Sequence, residues 1–118
     1  MPYMLLIVEP RGQRAQRTND EGQLAYARMV AFGEGLAARG LLQGSNSLRS
    51  DNDAVRVRVR DGRRTLIDGP FAESKEMVGG YFILTCDDRE QALEIAAACP
   101  AAEWATVEVR EIAPCHVG

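Results

Sequence analysis

The chain has 118 residues, room for one domain, residues 1–118, and for no second lobe. Its 46% apolar and 26% charged residues are ordinary for a soluble globular protein and exclude collagen-like, disordered and disulfide-scaffold classes. Seventeen acidic against fourteen basic side chains give a net charge of −3, which disfavours nucleic acid as the main partner.

Tyr3 to Val8 is an unbroken apolar run, read as a strand buried on both faces in the middle of a sheet. The run is too short for a signal-peptide core or a membrane span, so a cytoplasmic protein without membrane contact is expected. Thr18-Asn19-Asp20-Glu21 has the spacing of a capping box and predicts a helix start. Leu24 or Ala25, Met29, Phe32 and Leu36 continue at helical spacing, with Gly40 placed for a left-handed cap. After a short segment over 41–48, Val55, Val57 and Val59 alternate with arginines up to Asp61-Gly62, the turn of a two-residue hairpin. That turn sets Arg60 opposite Arg63, Val57 opposite Leu66 and Val55 opposite Asp68, so a carboxylate falls on the valine face. The arginine row Arg56, Arg58, Arg60, Arg63 and Arg64 reads as a solvated strand face.

Tyr81 to Cys86 reads as a second strand buried on both faces. Asp87-Asp88-Arg89-Glu90 repeats the capping-box spacing before a helix that Pro100 stops, and Ala105 to Ile112 alternates as a last strand. The order β, α, β-hairpin, β, α, β, with helix-linked strands parallel and the hairpin antiparallel, describes an α+β sandwich of the ferredoxin-like kind.

Cys86, Cys99 and Cys115 form no zinc-ligand spacing, so no metal is expected, and the first two read as small core residues. Phosphate-loop, dinucleotide, serine-hydrolase and zinc-protease signatures are absent from the sequence. The concentrated feature is Asp68-Gly69-Pro70-Phe71-Ala72-Glu73-Ser74-Lys75-Glu76, followed by Gly79-Gly80-Tyr81. Gly69-Pro70 ends the hairpin strand abruptly and holds Asp68 at its end. Lys75 is the only lysine beside thirteen arginines. A carboxylate on an apolar face near a lysine is a tuned general base, and the competing reading is a turn-forming aspartate beside a solvated cation. Glu73 and Glu76 read as a helix-start pair, His116 as a tail residue and Trp104 as packing.

At this run the sequence resembles the YCII-related family, in particular its DGPF branch. The resemblance also rests on Tyr3-Met4-Leu5-Leu6-Ile7, Val57-Arg58 with Asp61-Gly62, Ala92-Leu93, Cys99-Pro100 and Val107-Glu108-Val109-Arg110. It implies a ferredoxin-like fold paired into a homodimer, a dimeric α/β barrel with an interface cleft. The wider family is linked to histidine and aspartate acid/base chemistry and to eliminations. Here the sole histidine is His116, so only Asp68 carries over as acid/base. The expected site is then Asp68 and Lys75 as catalytic groups, with Phe71, Glu73, Ser74 and Tyr81 around a small-molecule ligand and no cofactor. The alternative implied by the resemblance is a non-catalytic sensing or interaction module with a sigma-factor-related protein partner.

Overall fold

The computed structural model describes residues 1–116. Alternation along β1 (Tyr3–Pro10) sends Tyr3, Leu5, Ile7 and Glu9 to a buried face and Met4, Leu6 and Val8 to a half-buried one. The expected burial on both faces is therefore corrected within one chain, because helices cover only one side of the sheet. A one-turn helix, α1 (Gln13–Gln16), precedes α2 (Asn19–Ala38). Thr18 caps α2 by accepting from the Glu21 amide at 3.1 Å, and its own amide donates to the Glu21 carboxylate at 2.8 Å. These two bonds satisfy donors that a helix start would otherwise leave unpaired.

The short segment over 41–48 holds a strand, β2 (Leu42–Ser47). Its sequence lacks an apolar period because it lies at the edge of the sheet, where most of its side chains face water. A 3₁₀ turn at Asp51–Asp53 leads into β3 (Val55–Arg60) and β4 (Arg63–Asp68). The hairpin register is the predicted one, with Arg60 opposite Arg63, Val57 opposite Leu66 and Val55 opposite Asp68. Asp61 and Gly62 sit at φ 52° and 76°, the left-handed pair that this turn requires. The hairpin forms its own two-stranded sheet and stands off as an arm.

β5 (Glu76–Leu84) begins where a helix start had been expected. Glu73 lies in a turn closed by the Ser74 amide on the Phe71 carbonyl, and Glu76 is already strand. α3 (Arg89–Ala98) is capped by Asp88, one residue later than the spacing suggested, through the Glu90 amide at 3.2 Å. A 3₁₀ turn at Pro100–Glu103 and β6 (Thr106–Glu111) follow.

The main sheet has the order β2-β5-β1-β6 with every neighbouring pair antiparallel. Helix-linked strands do run parallel, as expected, but each such pair is split by another strand. The molecule is thus α+β with an antiparallel main sheet and, among the described residues, three α-helices. Its core lies between the helices and one sheet face, around Leu5, Leu36, Phe82, Leu84, Ile95 and Cys99. Burial pushes the Cys86 and Cys99 thiols upward in pKa, in keeping with their packing role. Among the described residues no helix is long and apolar enough to cross a membrane.

Candidate functional site

The residues from Asp68 to Glu76 build the base of the arm. An added Cβ at Gly69 would overlap the Asp51 carbonyl oxygen, so only glycine lets the two backbones pass this closely. The Gly69 amide donates to the Ala54 carbonyl at 2.8 Å, closing the foot of the hairpin. Arg56 lies over the Phe71 ring, 3.6 Å from its centroid. Arg11 donates from Nη1 to Asp51 at 2.6 Å and from Nε to the Ser74 carbonyl at 2.7 Å. That fork holds the Asp51 carboxyl below its usual range, with the Arg11 hydrogen bond as the main cause.

Phe71 and Ser74 line a recess of about 270 Å³ with Arg11, Asp51 and Arg56. Asp68, Glu73 and Lys75 are exposed and do not line it. Among the described residues neither the Asp68 carboxylate nor the Lys75 ammonium makes a hydrogen bond or ion pair; Lys75 contributes its carbonyl to the Arg11 amide. Asp68 does share a face with Val55, yet Val55 is 51% exposed, so that face does not desolvate it as the register argument supposed. Tyr81 belongs elsewhere. Its side chain alternates with the buried Phe82 and faces away from the core beside Leu6, where its hydroxyl accepts from Asn46 Nδ2 at 2.8 Å, so the residue only borders a larger cleft on the other side of the sheet.

This cleft, about 850 Å³, lies between α2 and the sheet. α2 turns Gly22, Ala25, Met29 and Gly33 toward it, and the two glycines and the alanine leave space that larger side chains there would fill. Trp104 and Phe82 add aromatic wall. Glu9 lies at the lining and is only 6% exposed. Arg14 grips it twice, Nε to Oε2 at 2.9 Å and Nη2 to Oε1 at 2.7 Å. Arg14 also donates to the carbonyls of Leu48 at 2.8 Å and Gly79 at 3.3 Å, tying α1 to the residue after β2 and to the interior of β5. A Cβ on Gly79 would overlap the Glu9 carboxylate and crowd Arg14, so the glycine makes room for the pair. Arg17 and Arg28 stand 5.5 and 5.4 Å from the Trp104 ring centroid, within cation–π reach.

Chemically, each Glu9 oxygen accepts one bond from Arg14 and retains capacity for another donor. The cleft therefore offers an apolar body and one neutralised acceptor at depth. Among the described residues no cluster of histidine, cysteine and carboxylate side chains stands where it could hold a metal ion.

The YCII-related domain profile matches residues 1–116, nearly the whole chain. The chain belongs to the YCII-related family. It is also similar to an uncharacterised protein of Rhizobium meliloti (strain 1021), 37% identical over 43 residues, which is 36% of this chain and 35% of that protein. The match spans about a third of the length of that relative. In this YCII-related chain the motif-bearing run and the main cleft are separate places, with only Tyr81 of the expected site residues at the cleft. Glu9 and Arg14 stand outside every motif of the sequence. Position 9 continues the alternation of Tyr3, Leu5 and Ile7, which was the available sign that its carboxylate points into the core.

Proposed function

We propose that the protein binds a small, largely apolar molecule carrying a hydroxyl or amine donor, in the cleft between α2 and the sheet. The observation that carries this reading is the Glu9 carboxylate, 6% exposed beside an 850 Å³ cleft and held by Arg14. A buried ion pair adds little net stability compared with apolar packing, so its presence beside a large cavity favours a recognition role. A thermal-shift panel of phenols, aliphatic alcohols and amines tests it. A ligand at 100 times its dissociation constant adds about 2.7 kcal/mol to the parent. Glu9→Gln should raise the dissociation constant about tenfold, the value of one charged hydrogen bond, which cuts the stabilisation at the same ligand concentration to about 1.4 kcal/mol, and Met29→Trp should abolish it by filling the cleft. Binding that both variants leave intact would overturn the reading.

The finer assignment is to the DGPF branch, supported by the run Asp68-Gly69-Pro70-Phe71. With it comes a ferredoxin-like unit whose open sheet face meets a second copy in a dimeric barrel, supported by the half-buried Met4, Leu6, Val8 and Ile83. Acid/base or elimination chemistry at Asp68 and Lys75 belongs to the same proposal and requires a second copy to enclose these exposed groups. Asp68→Asn should then abolish turnover of a ligand enclosed there by the second copy, while binding in the cleft beside Glu9 is unchanged. Buried free thiols at Cys86 and Cys99 suit a cytoplasmic setting. The exposed arm favours a second reading, a protein-interaction module of the kind proposed for a sigma-factor-related partner.

A further inference from the structure

The arm is the largest feature that the cleft leaves unexplained. Val55, Val57, Val59 and Leu66 are 51–61% exposed, and the row Arg56, Arg58 and Arg60 lies on the opposite face. A two-stranded ribbon is marginal in water by itself, and an exposed apolar edge invites pairing. β3 is bonded to β4 on one side and has its other edge free. Among the described residues β6 is likewise bonded only to β1 and forms the edge of the main sheet.

The two free edges are complementary. β3 reads Val-Arg-Val-Arg-Val-Arg, and β6 reads Thr-Val-Glu-Val-Arg-Glu. Both have six residues, a length of about 20 Å. Laid antiparallel over their full length, they set Val57 against Val109, Val59 against Val107 and Arg58 against Glu108. The valines then continue the apolar face that Val107 and Val109 already share with Leu5 and Ile7. The like-charged pair in this register is Arg56 with Arg110. Arg56 is stacked on Phe71, and Arg110 lies 3.8 Å from Glu108. Charge over the whole chain points the same way. Residues 55–68 hold five arginines and two aspartates, +3, which leaves −6 on the rest of a chain of net −3.

We infer that β3 of one copy adds to the β6 edge of a second copy, extending its sheet by the two strands of the arm. Given reciprocally, the exchange closes a two-fold dimer. This interface is edge to edge, and it is independent of both the ligand cleft and the open sheet face.

Backbone hydrogen exchange of the full chain, measured at low and high protein concentration, tests it. The outward amides of residues 55–60 and 106–111 should gain protection with concentration, and less so in high salt. Arg58→Glu and Glu108→Arg, both at exposed positions, should each weaken that protection about tenfold, since a reciprocal dimer loses two cross-strand pairs. The chain carrying both changes should recover it. Protection unchanged by concentration, unchanged in the single variants, or lowest in the double variant would overturn the pairing. So would arm protection that arises only on adding poly-glutamate or nucleic acid, which would give the surface to a different partner. Melting curves of each variant establish that it is folded. Ligand binding in the cleft should survive all of these changes, which separates failure of this inference from failure of the cleft reading.

Discussion

Glu9 and Gly79 form one unit, since the carboxylate occupies the volume where any other residue at 79 would place a Cβ. Replacing Gly79 by Ala must displace either the Glu9 carboxylate or the β5 backbone. The Glu9–Arg14 fork, with its 2.7 Å bond, is the part that can give. Breaking a fully buried pair costs about 3–5 kcal/mol, but the Arg14 side chain is 37% exposed, so about 1–3 kcal/mol is expected here. Gly79→Ala should therefore lower the midpoint of denaturant unfolding at unchanged slope. In the double variant with Glu9→Gln the two losses should fall short of additive, because both act on the same fork. Full additivity would mean that Gly79 serves the strand and not the carboxylate.

Between elements, the Arg11–Asp51 fork joins the end of β1 to the turn before β3, and Arg11 also reaches the Ser74 carbonyl beyond β4. The carboxyls of Asp51, Glu21 and Glu103 are all lowered, by the Arg11 hydrogen bond, the Thr18 backbone hydrogen bond and the Arg28 hydrogen bond respectively. For a depressed folded pKa, the stabilisation is present above the unfolded value, 3.8 for aspartate and 4.5 for glutamate, and is lost as pH falls through the folded value. Acid unfolding should accordingly set in below about pH 4. Arg11→Met should flatten the Asp51 part of that acid limb, and exchange at the base of the arm should quicken. An acid limb identical to the parent's would show that the fork does not brace the arm. This brace also shows what was legible in the sequence and what was not. The hairpin register, the Thr18 cap and both long helices follow from local rules, so they could be read. β2 owes its strand to pairing with β5 and has no period of its own. The charge-dense run after Asp68 could be located as special, but its role depends on Arg11 and Asp51, distant in sequence and brought in by the fold.

On the scale of the whole molecule, the radius of gyration is 16.2 Å, against about 13.5 Å for a compact chain of this length. The excess comes with a flat outline, 48 × 47 × 19 Å, in which the arm stands off and one sheet face has no helix over it. On that face Leu6 lies between Tyr81 of β5 and Glu108 of β6, with Met4, Val8 and Ile83 nearby in register. A stable interface needs about 800 Å² from each partner. One side of a six-residue, two-stranded ribbon offers only about 200 Å² in projection, so the edge pairing makes a weak contact even when given twice, and the open face is the larger candidate. Leu6→Lys puts a charge at the centre of that face. Within one chain Leu6 is only half-buried, and a long cationic side chain can reach water there, so the melting behaviour of the monomer should change little. If a second copy covers the face, the same charge is desolvated without a partner, and sedimentation at micromolar concentration should shift from dimer to the 12.9 kDa monomer. A dimer that persists in Leu6→Lys would leave the open face uncovered by the second copy and remove the barrel arrangement from the proposal. Loss of that persistent dimer in Arg58→Glu would then assign it to the edge pairing of β3 with β6.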